Sequence, residues 1–250
     1  MDNYSEIGLE RSGFVAVIEM RRPPDNYFDA VIVGQIADAL EALDKDAACR
    51  AVVLAASGRS FCAGAKLGGP PRPRTVYDEA VRLFRTQKPI VAALEGPAVG
   101  GGLGLALAAD FRVICPEAWL SANFTRLGLH PGFGLTVTLP ELVGRNAAQL
   151  ILYTGRRVGG EQAVEMGLAN VLAARAEVRT AAIALAAEIA ECGPLAVSET
   201  RATLRAGLAD RILAAFEVEQ NKQKQLRGTA DFAEGVKAQA ERRPAQFSGK

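Results

Sequence analysis

The stretch from Lys88 to Phe111, KPIVAALEGPAVGGGLGLALAADF, decides how the rest of the chain is read. Pro89 to Leu94 is a short apolar run of the kind a buried strand needs. Glu95-Gly96-Pro97 carries turn chemistry. Gly100-Gly101-Gly102 then opens an Ala/Leu-rich segment that reads as a buried helix. Glycines lack a Cβ, so the backbone there can approach another group closely. A helix start also leaves N–H groups unpaired and favours negative charge. The pattern reads as a device for holding an oxyanion.

Arg59 to Leu67, RSFCAGAKL, repeats this character after a second apolar run, Ala51 to Ala56. Ala63-Gly64-Ala65 presents nearly bare backbone just past a strand. One peptide N–H from each loop could clasp a single carbonyl oxygen. A dinucleotide reading of the triplet fails on two counts: the third fingerprint glycine is Leu105, and Asp110 comes too soon to meet a ribose. The chain contains neither a G-x-x-x-x-G-K-[ST] phosphate loop nor a G-x-S-x-G nucleophile elbow.

FCAGA followed by EGPAVGGGLGLALAAD resembles the crotonase (enoyl-CoA hydratase/isomerase) superfamily. The resemblance runs from the strand at Val15 to Met20 to the tail EGVKAQAERRPAQF, Glu234 to Phe247. It implies an α/β fold: a spiral of ββα units over residues 1–175 that binds acyl-CoA, and a helical C-terminal subdomain over 176–250 that trimerises. It implies Ala65 and Gly101 N–H as the oxyanion donors. It places the CoA adenine near Ala63 and the Lys66-Leu67 turn, with Phe247 helping to cover the coenzyme. Pro24, Val99, Gly102 and Phe124 complete the substrate-binding set so implied. Coenzyme A enters as part of the substrate, and no separate cofactor or metal is expected.

The family pattern breaks at its acids. Hydratases of this superfamily share one water between two glutamates, which is general acid–base work. The first would stand three residues after Gly101, where this chain has Gly104; the second would stand four before Gly128, where it has Phe124. Phe124 dries the pocket instead, which strengthens amide donors. His130, the only histidine, is a candidate acid or base, set against a plain structural role near a helix start. Asp29, which follows Asn26 and Tyr27 past the first strand, is a second candidate. Asp78 and Glu79 read foremost as helix-start acids. Glu141 reads as solvated or interfacial, Asp110 as structural, and Arg126 as a surface or interface residue. Three functions remain open: an enolate-forming acyl-CoA enzyme, a related C–C hydrolase or decarboxylase, and an acyl-CoA-binding oligomer without catalysis.

Composition bounds the rest. The chain has 250 residues, 49 % of them apolar, which suits one domain or one plus an appendage. A net charge of +1 without basic clusters argues against a nucleic-acid partner. No long uncharged apolar run suggests a membrane span. The start, MDNYSEIGLERSG, resembles neither a signal nor a transit peptide, so a cytoplasmic protein is expected. Cys49, Cys62, Cys115 and Cys192 have no C-x-x-C spacing and read as reduced thiols, mostly buried. Periodicity predicts a strand at 14–20, a helix at 31–43, a proline-rich loop at 68–74 and a helix at 76–86. It further predicts a strand at 111–114, an edge strand at 119–122 and helices at 131–142, 146–153 and 160–166. From Glu177 onward four helices follow, at 177–191, 195–205, 209–227 and 231–242. The apolar content of those late helices fits a homotrimer or a dimer of trimers, and fits intrachain packing equally well.

Overall fold

The computed structural model describes residues 4–66 and 73–250. Two apolar runs form the centre of a six-stranded sheet because parallel strands covered on both faces must be apolar throughout. These are β3 (Ala51–Ala56) and β4 (Ile90–Leu94), following β1 (Ile7–Ser12) and β2 (Val15–Met20). Between them lie α1 (Ala30–Asp44) and α2 (Val76–Leu83). β5 (Ala98–Val99) precedes α3 (Gly101–Ala108), then come β6 (Phe111–Ile114) and β7 (Trp119–Ser121). α4 (Leu135–Thr154), β8 (Val158–Gly159), α5 (Gly160–Glu165) and β9 (Val171–Leu172) complete the mixed part. α6 (Val178–Glu191), α7 (Pro194–Leu204), α8 (Leu208–Leu226) and α9 (Ala230–Glu241) follow.

The large sheet runs β1-β2-β3-β4-β6-β9, with β1 and β2 antiparallel and every other pair parallel. The register sets Val15 opposite Ala51, Val52 opposite Ile90 and Val91 opposite Phe111. A second sheet runs β5-β7-β8. α6 packs on β3 and β4 through Val178, Ala182, Ala186 and Ala190. α3 is buried all round, as its run of glycine, alanine and leucine requires.

Two isolated bridges weld the glycine loops to their neighbours: Cys62 pairs with Ala98, and Phe28 with Ala65. The first ties the FCAGA loop to the strand leading into the glycine triplet. Asp110 anchors the C-terminal helices. It accepts from Arg201 Nε at 2.9 Å, from Arg205 Nη1 at 3.0 Å and from Ile90 N at 2.8 Å, so α7 is fastened to the sheet.

Three details depart from the periodicity. β1 was not anticipated, because only Ile7 and Gly8 of its residues are buried and the rest carries polar side chains. Trp119–Ser121 is the middle strand of the small sheet rather than an edge. The helix expected from Pro131 begins at Leu135: Phe133 and Gly134 both have positive φ, 59° and 72°, which no helix admits. Gly144, at φ 76° and ψ 158°, does break the following helix, as its place between two periodic runs implied.

Candidate active site

The two loops meet at a cavity of ≈ 400 Å³. Ala63, Gly64, Ala65 and Lys66 line one side, and Val99, Gly100 and Gly101 the next. Phe28, Phe124 and Phe133 make an aromatic wall, and α8 and α9 close the far side through Gln223, Arg227, Val236 and Gln239.

The bridge geometry explains why the amides are available. In the Phe28–Ala65 bridge, Phe28 N donates to Gly64 O at 2.9 Å and Lys66 N to Phe28 O at 2.7 Å. Both bonds use the peptides on either side of Ala65, so its own N–H points away from Phe28. Gly101 is the first residue of α3, where a helical N–H has no partner one turn back. Gly100 N is spent on Ser121 O at 2.8 Å, and Gly100 O accepts from Leu103 and Gly104. Neither Ala65 N nor Gly101 N donates to an acceptor among the described residues. Gly102 serves packing: a Cβ there would stand 2.2 Å from Cys62 O.

The space beside Gly104 is filled from outside. A Cβ on Gly104 would lie 2.5 Å from Phe133 Cβ. Phe133 meets Phe28 edge-on at 5.3 Å and Phe216 of α8 at 6.4 Å. A bulky residue at φ 59° is strained, and this packing holds it there. Among the described residues, no Asp, Glu or His side chain lines the cavity.

The remaining sequence candidates are placed as follows. His130 is half-buried, with Nδ1 2.8 Å from Pro131 O and its own carbonyl accepting from Gln223 Nε2 at 3.0 Å; its side chain is not part of the cavity lining. Asp29 caps α1, accepting from Val31 N at 2.9 Å, and pairs with Arg22 at 3.0 Å. Burial works to raise its pKa, but Arg22 and the two amides outweigh it and hold the carboxyl below its ordinary value. Its side chain also stays out of the cavity lining. Asp78 forms a capping box with Thr75, and Glu79 is buried against Arg82 and Arg74. Glu141 pairs with Arg211 at 2.8 Å, and Arg126 Nε donates to Thr154 O at 2.8 Å. Pro24 lines a small outer hollow with Arg22, Tyr27 and Lys66. Phe247 is 46 % exposed and lines neither cavity, and Leu67 lies outside the described residues.

Tyr77, Gln223 and Glu219 were not singled out in the sequence. Tyr77 lines the cavity and meets Phe216 edge-on at 4.8 Å. Burial drives its pKa up, the nearby Glu219 charge adds to this, and Arg227 and the Phe133 backbone pull less strongly the other way. Glu219 is 1 % exposed and caps α4, accepting from Gly134 N at 3.0 Å and from the Thr136 hydroxyl at 2.9 Å. Burial outweighs those bonds and pushes its carboxyl up to about 7.

A larger apolar hollow of ≈ 550 Å³ lies between α7, α6 and the end of α3, away from both glycine loops. Leu195 and Leu204 of α7, beside it, are 82 % and 81 % exposed.

An α/β spiral with two glycine loops converging on an apolar cavity, closed by C-terminal helices, is the architecture of the crotonase superfamily. The chain belongs to the enoyl-CoA hydratase/isomerase family, whose model matches residues 10–250. It is 34 % identical over 248 residues to Bacillus subtilis YngF, a protein named as an enoyl-CoA hydratase/isomerase, covering 94 % of this chain and 95 % of that one. Among solved structures, an enoyl-CoA hydratase/isomerase from Pseudoalteromonas atlantica superposes with TM-score 0.89 at 26 % identity, covering 98 % of this chain and 100 % of its own. A carnitinyl-CoA hydratase from Mycobacterium avium gives TM-score 0.87 at 31 % identity, covering 98 % and 99 %.

Proposed function

We propose that this protein is an acyl-CoA enzyme that holds the thioester carbonyl between Ala65 N–H and Gly101 N–H and stabilises the enolate formed there. The observation that carries this reading is the pair of unspent amides on residues that line one apolar cavity. Two fixed donors in a water-poor site match the charge that develops on the oxygen, and removing one such donor raises a barrier by about 3–4 kcal/mol. The acyl chain lies along Phe28, Phe124 and Phe133, and Lys66, exposed at the rim, faces the charged end of the coenzyme.

The reaction is of the enoyl-CoA hydratase/isomerase type, run without the two-glutamate pair, since Gly104 and Phe124 occupy those positions. The carboxylate-free lining favours a second reading, C–C hydrolysis or decarboxylation, in which carbanion stabilisation matters more than a paired acid and base. The exposed Leu195 and Leu204 fit a subunit interface, and a homotrimer or dimer of trimers is the assembly we propose.

The test is turnover of a panel of 2-enoyl, 3-oxoacyl and malonyl thioesters, with product identity by mass spectrometry. Hydration or double-bond migration supports the first reading, and carbon–carbon cleavage the second. Acyl-CoA binding by calorimetry with no turnover of any thioester shows a binding protein instead. Light scattering after size exclusion reads the assembly.

A further inference from the structure

We propose that Tyr77 is the catalytic acid of this site, delivering the proton that ends the enolate. This rests on the thioester-enolate reading above. The ionisable side chains lining the cavity, among the described residues, are Tyr27, Lys66, Tyr77 and Arg227. Arg227, the residue that caps the end of α8, is exposed. Tyr27, 48 % exposed, and Lys66 also border the outer hollow, on the solvent side. Tyr77 is the one member of the set fixed by packing on the inner side.

Its placement is defined by Gly132. A Cβ there would stand 2.7 Å from Tyr77 Oη, 2.6 Å from Gln223 Nε2 and 3.6 Å from Phe124 Cε1. The same Phe124 ring reaches to 3.7 Å from where a Cβ on Gly100 would sit. The hydroxyl therefore sits beside Gly132 on the cavity wall, next to the Phe124 ring that reaches toward Gly100. Gly132 is the residue that leaves room for it. The phenol ring is clamped by Phe216, and the capping box of Thr75 and Asp78 fixes the first turn of α2 that carries it. Burial keeps the hydroxyl neutral, which makes it a donor rather than a resting base.

The step balances without a further reagent. The Tyr77 O–H bond breaks and its electron pair stays on the phenolate oxygen. The enolate π pair forms the new C–H bond at the α-carbon, and the thioester carbonyl re-forms. In hydration, the water that adds at the β-carbon loses one proton, and that proton restores the phenol. In C–C cleavage or decarboxylation the same proton goes to the carbon freed, and solvent water restores Tyr77. The group thus serves hydration, carbon–carbon cleavage and decarboxylation alike, since each ends with protonation of an enolate carbon.

The experiment compares wild type with Tyr77→Phe on whichever thioester of the panel the wild type turns over. Acyl-CoA affinity is measured by calorimetry on the same preparations. The expected result is kcat lower by about 10²–10⁴-fold, with Kd changed by less than a few-fold. A second variant carries a ring-fluorinated tyrosine at position 77, whose phenol is more acidic. It keeps the ring and the fold and changes kcat while Kd stays within a few-fold, an effect no packing role would produce. Tyr77→Phe with unchanged kcat overturns the assignment and leaves the enolate reading standing. So does a kcat that does not move on fluorination, or equal losses of affinity and rate in the Phe variant. A wild type inert toward every thioester overturns both.

Discussion

Replacing Gly104 with alanine destabilises this protein, and removing the Phe133 side chain reverses the sign of that effect. A Cβ at position 104 would stand 2.5 Å from Phe133 Cβ and 2.9 Å from its Cγ and Cδ1. Carbon pairs are comfortable at about 3.5–4.0 Å. The nearest atom is a Cβ, fixed to the backbone, so relief requires the chain around Phe133 or α3 itself to move. Overpacking of this kind costs about 1–3 kcal/mol. Alanine gains about 1 kcal/mol over glycine inside a helix, so overpacking wins in the wild-type background. Phe133→Gly alone loses about 3–5 kcal/mol of aromatic packing, offset by about 1–2 kcal/mol of relief at its positive φ. In that background the overpacking is gone and Gly104→Ala stabilises by its helix preference alone. The coupling between the two sites is then about 1–3 kcal/mol, within the range that contacting residues show. Urea midpoints of the four proteins, followed by circular dichroism at one protein concentration, measure it. Equal effects of Gly104→Ala in both backgrounds would refute the argument. The consequence for the site is direct: Phe133 occupies the space a side chain at 104 would need, so glycine there and the aromatic wall of the cavity are one feature.

Glu219 gives a pH signature of opposite sign to a salt-bridged acid. Its folded pKa is raised from 4.5 to about 7, so the native state binds the extra proton and stability falls as pH rises from 4.5 through 7. The loss amounts to about 3 kcal/mol. It is read as the pH dependence of the urea midpoint in wild type minus that in Glu219→Gln, and parallel curves would defeat it. Asp110→Asn leaves Arg201, 8 % exposed, and Arg205 without their carboxylate, and costs about 3–5 kcal/mol by the same assay. A loss below about 1 kcal/mol would show that the anchor of α7 lies elsewhere. Gly132→Ala pushes the tips of Tyr77 and Gln223 rather than backbone, so it lowers turnover with little loss of stability. Unchanged kcat beside normal folding would contradict the placement of the Tyr77 hydroxyl.

What could be read from the sequence follows the range of the forces involved. The strands at 51–56 and 90–94 are apolar through and through because both faces are covered, and that pattern is local. Gly100 to Gly102 and Ala63 to Ala65 show in the sequence because close backbone approach leaves only glycine and alanine as options. β1 did not show, since four of its six residues face solvent and nothing in their polarity separates them from a loop. The cavity's far wall did not show for a different reason. Gln223, Arg227, Val236 and Gln239 come from helices packed there by α8 on α2 and α4 and by α9 on the turn at 123–127, and ordinary helix surface carries no mark of what it covers. Tyr77 hid in the same way: in the sequence it is one aromatic beside two helix-start acids, and Asp78 and Glu79 drew the chemical reading. The structure reverses the weights, because a capping acid is spent on its own helix while the aromatic beside it lines the cavity. Phe133 had a legible sign, a large residue between Gly132 and Gly134. Glycines flank a bulky side chain where the chain must turn sharply to aim it inward. The Phe133 ring, packed between Gly104, Phe28 and Phe216, fills part of the cavity wall from a loop, so an aromatic far along the chain sets what the first turns of α3 can carry.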